Sequence, residues 1–422
     1  DADTKGSRAV AIGTGALGVQ NFTSSTNSNN VAIGYAAGAS ILTGQSNIII
    51  GSNAADALTI GELNVAIGQA ALGADDVGSR NTVVGYASFQ SQNAPSGSVN
   101  NMYNTGLGYG TGSSITTGYY NTFIGALAGD GTDDGNENVA IGISALSSNC
   151  ASSNVAIGAY ALEDSTANGN TAVGASAAKN NTSGNANTAV GKDTLATNLT
   201  GANNTALGND ALYANTASNN TAIGNLCLSN NTSGDAGVGV GKSTLASNTT
   251  GRFNTGCGYE ALYSNTTGGY NTAVGQFALG GVTTASSNVA VGNNALDSAT
   301  TGSANIAIGN SAGTSHTTDF GSTFVGHYAG FGSTGQTNLC VGYLAGYAGG
   351  QSNQLTSGGG NVLLGSYANV AAATNAGSVV VGHSLTGKGT NTGFFGAASG
   401  NYNAANSSAW NTTSDRRLKK NI

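Results

Sequence analysis

Charge is what this 422-residue chain has least of: Lys, Arg, Asp and Glu together make up 7% of it, against roughly 25% in ordinary soluble domains. Its length alone would suggest two or three globular domains, but so few charges cannot clothe that many separate cores in an ionic surface. Pro, Met and Trp occur once each, while Gly takes 68 of the 422 positions. Collagen is excluded, because it needs Gly at every third position and abundant Pro. Disorder is excluded because disordered chains pair high net charge with few β-branched residues, whereas Val, Ile and Thr recur here at regular places. No run approaches the ~18 apolar residues of a membrane span and no signal peptide is visible, so membrane insertion is not expected.

The formal charge is −7, and Arg416, Arg417, Lys419 and Lys420 supply four of the twelve basic residues. Without residues 414–422, eight basic and eighteen acidic residues remain, a body charge of −10. Such a sparse acidic surface repels phosphate backbones, so no nucleic-acid partner is expected. Cys150, Cys227, Cys257 and Cys340 follow no metal-ligand or redox spacing. They read as small buried hydrophobes, and no cofactor or metal is expected.

What the chain has in abundance is one motif. Asn-Thr/Val-Ala-aliphatic-Gly is followed after two residues by Ala-Leu, as in Asn204 to Gly208 with Ala211-Leu212 and Asn288 to Gly292 with Ala295-Leu296. Twenty-three copies run from Gly13 to Gly396, most of them 16 or 17 residues apart. The residue before the Gly is apolar in every copy, the one two before is usually Ala, and the one three before is Thr or aliphatic except at Gly393. None of the three is ever charged.

Strand side chains alternate between faces, so a strand without charge on either face is covered on both. A period near 17 is too short for helical hairpins and fits one coil of a β-solenoid. The expected fold is therefore all-β, a repetitive β-solenoid or β-roll of about 17 residues per coil. Each coil would have two short strands, the motif and the Ala-Leu segment, and the aliphatic residue before the Gly, Ile223 for example, would lie in the core. The Asn that opens eighteen copies either stacks into an amide ladder or merely suits a turn. With coils ~4.8 Å apart, twenty-three would span roughly 110 Å. Longer intervals, such as Gly85 to Gly108 with Pro95 and Met102, and Gly342 to Gly365, are expected as loops pushed out from the coil. Each coil has only two or three large apolar side chains, too thin a core for one chain, so an intertwined or side-by-side homotrimer is expected.

The Asn-x-Ala-aliphatic-Gly repeat resembles the heads of trimeric autotransporter adhesins and the repeats of phage tail-fibre proteins. The tail from Thr413 to Ile422, Thr-Ser-Asp-Arg-Arg-Leu-Lys-Lys-Asn-Ile, resembles the opening of the self-cleaving intramolecular chaperone domain of endosialidase-type tail spikes and fibres. The resemblance implies a shaft over 1–400, a linker over 401–413 and the start of a chaperone domain over 414–422. It also implies Ser414 as nucleophile and Lys419 as base in autoproteolysis of the Thr413–Ser414 bond, and no other enzymatic activity is expected. The function implied is the structural and adhesive shaft of a phage tail fibre on a virion, holding a host-recognition tip. The implied partners are two further copies, other tail or virion proteins and host surface polysaccharide. The alternative is a trimeric bacterial cell-surface adhesin or extracellular filament. A triangular β-helix of the hexapeptide acyltransferase type needs its hexad on three sides of each coil, and only one side shows it.

Other candidate groups are weaker. Asp75-Asp76, the run from Asp130 through Asp133 and Asp134 to Glu137, Glu163-Asp164, and Asp193 with Asp210 could serve a glycosidase or, for the Asp130 run, Ca²⁺; solvated turn carboxylates are the competing reading. Tyr35, Tyr86, Tyr109, Tyr259 and Tyr343, with His327 and His383, directly follow the motif Gly. They suit either a subunit boundary or stacking on sugars.

Overall fold

The computed structural model describes residues 6–95, 100–349, 355–396, 401–403 and 410–412. The chain divides into two compact units, Asp1–Ser218 and Asn219–Ile422. Both are stacks of one coil, together about 22 turns of parallel β-solenoid with about 17 residues per turn, and there is no helix among the described residues. In the first unit the stack runs in register from Val10–Ile12 to Thr205–Leu207. In the second it runs from Thr221–Ile223 to Gly393–Phe395. Within the segment expected as a linker, Asn401–Asn403 pairs antiparallel with that last strand and Trp410–Thr412 pairs antiparallel with Asn401–Asn403.

Most described coils contain one three-residue strand, not two; short second strands occur only at Gly6–Ser7 with Thr26–Asn27 and at Gly78–Ser79 with Asn100–Asn101 among the described residues. The Ala-Leu segment is a run of tight turns in which ordinary residues take left-handed backbone, Asn294 at φ 55 and Leu296 at φ 51 for instance. That conformation costs an L-residue roughly 1–2 kcal/mol. It is offset because every coil holds the next: Asn294 N–H donates to Gln276 O of the coil before at 2.9 Å, and Leu296 N–H to Ala312 O of the coil after at 3.0 Å. At the Leu position propensity is overridden by this stacking, whereas the position two residues earlier often carries the Asn, Asp or Ser that suits a left-handed turn, as at Asn53, Asp193 and Asn294.

The inside and outside of the strand are the reverse of the expectation. The middle residue, usually Ala, is the buried one: Ala66, Ala156, Ala273 and Ala307 are all 0% exposed. The aliphatic residue before the Gly points outward, Leu107 at 50% and Ile308 at 42%, and Ile223, expected in the core, is among the exposed residues. A coil this tight has room for Ala from the strand plus Leu from the turn, as in Leu72, Leu162, Leu262 and Leu296. The larger side chain is left outside. Cys257 follows the same rule and is exposed, which corrects its reading as buried, whereas Cys150, Cys227 and Cys340 are buried.

Where the strand sends a larger residue inward, a Gly makes room. Phe324 replaces the usual Ala, and Gly313 and Gly330 stand at the Leu positions of the preceding coil and of its own coil; a Cβ at Gly330 would lie 2.1 Å from the Phe324 ring. Phe123 is matched likewise by Gly129, with 2.4 Å left for a Cβ. Core volume is thus conserved from coil to coil. The motif Gly has a separate cause. Gly309 has φ +138, and a Cβ there would meet the Gly326 carbonyl oxygen of the next coil at 2.4 Å, so neither the backbone nor the space admits a side chain.

The Asn that opens the motif builds a ladder, though largely through the backbone. Its Oδ1 accepts the N–H of the equivalent residue one coil on, Asn47 to Asn30 at 2.9 Å and Asn204 to Asn187 at 2.9 Å in the first unit, Asn305 to Asn288 at 2.9 Å in the second. Its Nδ2 donates to a turn carbonyl, Asn288 to Gly302 O at 2.9 Å. A second buried column, unrecognised from sequence, joins amide to amide: Asn198 to Asn181 at 2.8 Å, and Asn265 to Asn248 to Asn231 at 2.7 Å each. These columns satisfy most of the polar groups that the coil interior hides from water, with Asn138 Nδ2 and Asn265 Oδ1 left unpaired.

Candidate interaction surfaces

The outward strand positions form two columns along each stack. In the first unit one passes through Ile33, Ile50, Ile67 and Val84, and in the second through Val274, Val291, Ile308 and Val325, with Thr, Val or Ile in the parallel column two residues earlier. From Val31–Ile33 to Gly393–Phe395 every three-residue strand of the two stacks is exposed or half-buried at these places and buried between them, while Val10–Ile12 is wholly exposed. The result is an apolar, β-branched sheet face without a charge, open in the single chain, which is unusual for a parallel sheet.

Aromatic rings line the corners. The tyrosines that follow the motif Gly are exposed, as expected, and Tyr86 stacks on Tyr109 at 5.4 Å and 6°. His327 stacks on Tyr343 at 5.5 Å and 14°. A second row stands five residues before the Gly: Tyr103 stacks on Tyr120 at 5.4 Å, and Phe253 on Tyr270 at 5.1 Å. This row was missed, although the fixed spacing from the Gly is visible in the sequence. In a stacked row the ring faces are spent on each other, so these rows stabilise the coil edge more than they offer platforms to a ligand.

The carboxylates stay apart in function. Asp75 is fully buried; its oxygens accept the Gly78 N–H at 2.9 Å and the Gln92 amide at 2.6 Å, and burial pushes its pKa up against those bonds. Asp193 pairs with Lys192, Glu163 with Lys179 at 3.1 Å, and Asp235 with Arg252. Glu137 accepts Ser153 Oγ of the next coil at 3.2 Å. Apart from the Lys192–Asp193 pair, which joins adjacent residues, they tie turns to neighbouring coils, and among the described residues no three His, Cys, Asp or Glu side chains gather as a metal would need. His316 is buried edge-on against Phe324 at 5.2 Å, its pKa lowered by burial, while His327 and His383 are exposed. Ser414 and Lys419 lie outside the described residues. Among the described residues no helix is long and apolar enough to cross a membrane.

No protein-family model matches the chain, and no curated protein matches it significantly.

Proposed function

We propose that the chain is the shaft of a homotrimeric phage tail fibre, doing mechanical and adhesive work outside the cell and holding a host-recognition tip away from the virion. The observation that carries this reading is the charge-free aliphatic face of each stack, repeated coil after coil. A periodic face is matched along its length only by a surface with the same coil spacing, and a second copy of this chain has that spacing. Covering it would complete the two-sided burial that parallel sheets require. Among repeat proteins of this type, the likeness of Thr413 to Ile422 to the opening of a fibre chaperone favours a virion over a cell-surface adhesin. Self-cleavage by Ser414 and Lys419 would belong to the full-length precursor, where a Lys held away from water can lose its proton and activate the Ser hydroxyl.

Light scattering at micromolar concentration tests the assembly: three chain masses are expected, and a single chain mass overturns it. In the complete gene product, Ser414→Ala should leave an uncut trimer; identical bands for wild type and mutant on denaturing gels would remove the fibre-chaperone part of the reading.

A further inference from the structure

The six extra residues between Gly85 and Gly108 do more than bulge. They let Asn100–Asn101 pair with Gly78–Ser79 as a second small parallel sheet, and they build a satellite core of Val77, Ala94 and Met102. Beside it the surface forms a hollow of about 510 Å³, inside the first unit. That volume falls within the roughly 300–1,000 Å³ of small-ligand sites. Its apolar lining comes from Pro95, Met102 and Tyr119, and its polar lining includes Thr117, Asn136 and Asp134.

Tyr119 differs from the other corner aromatics. It stands outside the stacked row, meeting Tyr120 at 77° with ring centroids 5.0 Å apart, and it is exposed. Its backbone is pinned, since Tyr119 N–H donates to Asn136 Oδ1 at 2.9 Å. That bond leaves Nδ2 as the donor Asn136 can offer a ligand.

We propose that this hollow binds a short neutral saccharide, one or two hexose or N-acetylhexosamine units, stacked on Tyr119. A pyranose presents an apolar C–H face to an aromatic ring and a rim of hydroxyls to amide, hydroxyl and carboxylate groups, and both halves of that chemistry are present here. Phosphorylated and other anionic ligands are disfavoured, because Asp134 is in the lining and no Lys, Arg or His is. A wholly apolar ligand would strip water from Thr117, Asn136 and Asp134 without replacing it. The site requires only the first unit, so it stands independently of trimer assembly.

The test uses the full chain with N,N′-diacetylchitobiose, lactose and sialyllactose as probes, read by saturation-transfer NMR and calorimetry. At least one neutral disaccharide should bind. Tyr119→Ala should weaken it at least about tenfold, a loss of about 1.4 kcal/mol, with unchanged circular dichroism, while Tyr119→Phe retains binding. Asp134→Lys should shift preference toward sialyllactose, and it keeps the test open if Tyr119→Ala folds poorly. Absence of neutral-disaccharide binding up to about 10 mM, or binding unaltered in Tyr119→Ala, overturns the proposal.

Discussion

Replacing Asn288 by Ala tests whether the buried Asn column holds the coils together. Asn288 is fully buried; its Oδ1 accepts the Asn305 N–H at 2.9 Å and its Nδ2 donates to Gly302 O at 2.9 Å. The substitution strands one buried donor and one buried acceptor. Each costs about 1–3 kcal/mol when left unmade, so the loss should be about 2–6 kcal/mol per chain. Asn271 Oδ1 loses the 3.2 Å bond from Asn288 Nδ2 but keeps the one from the Asn288 backbone N–H at 3.0 Å, so on that side no group is left without a partner. Asn288→Asp keeps the acceptor for Asn305, loses the amide donor and acquires a carboxyl whose pKa burial will raise. Its deficit should be smallest below the unfolded carboxylate value of about 3.9 and grow as pH rises through the folded value. Urea unfolding followed by circular dichroism measures both. An Asn288→Ala protein within about 0.5 kcal/mol of wild type would refute the ladder and leave Asn as a turn-former only.

Ala307→Asp, which buries an unpaired charge, should cost several kcal/mol in folding, whereas Ile308→Asp should cost less in folding and abolish assembly by light scattering; the opposite order would reverse the assignment of faces. Gly330→Ala should cost about 1–3 kcal/mol by overpacking against Phe324, and Phe324→Ala about 3–5 kcal/mol by leaving a cavity. The double variant should cost less than the sum by at least about 1 kcal/mol, and strict additivity would deny the volume exchange. Burial raises the Asp75 carboxyl, and Asp56, Asp130 and Asp297 likewise, while the Arg252 hydrogen bond lowers Asp235. A raised folded pKa contributes stability that is complete below the unfolded value and lost as pH rises through the folded one. The melting temperature should therefore fall as pH rises above about 4, with a shallower slope in Asp75→Asn; a slope unchanged by that variant would count against burial of this group.

The repeat was legible because twenty-three copies average out local noise: the Gly, the Asn and the period all have one physical cause each, and the cause recurs in every coil. Which strand face is inside was not legible. Ala and Ile are both apolar, and the larger was assigned to the core on burial grounds, although the tight coil takes Ala222 in and leaves Ile223 out. The turns at Leu296 and its equivalents were equally hidden, since left-handed Leu is made tolerable only by hydrogen bonds to coils about 17 residues away. The hollow beside Tyr119 depends on how the insertion folds back onto Val77 and Met102, a long-range packing event with no local signature. The second aromatic row at Tyr103, Tyr120, Phe253 and Tyr270 did have a signature, its constant distance from the motif Gly.

Cys257 offers the most direct measurement of whether the outer strand face is covered by further copies of the chain. It stands in the outward column and is exposed, while Cys150, Cys227 and Cys340 are buried, with thiol pKa values pushed up to about 11, 12 and 12. A maleimide reagent added to the native chain at neutral pH therefore reports on that one position. If the face is an interface between three chains, Cys257 should be protected in the native protein and react rapidly when Ile308→Asp keeps the chains apart. Labelling of Cys257 in the native protein at the rate of a free thiol, with no difference in Ile308→Asp, would contradict it.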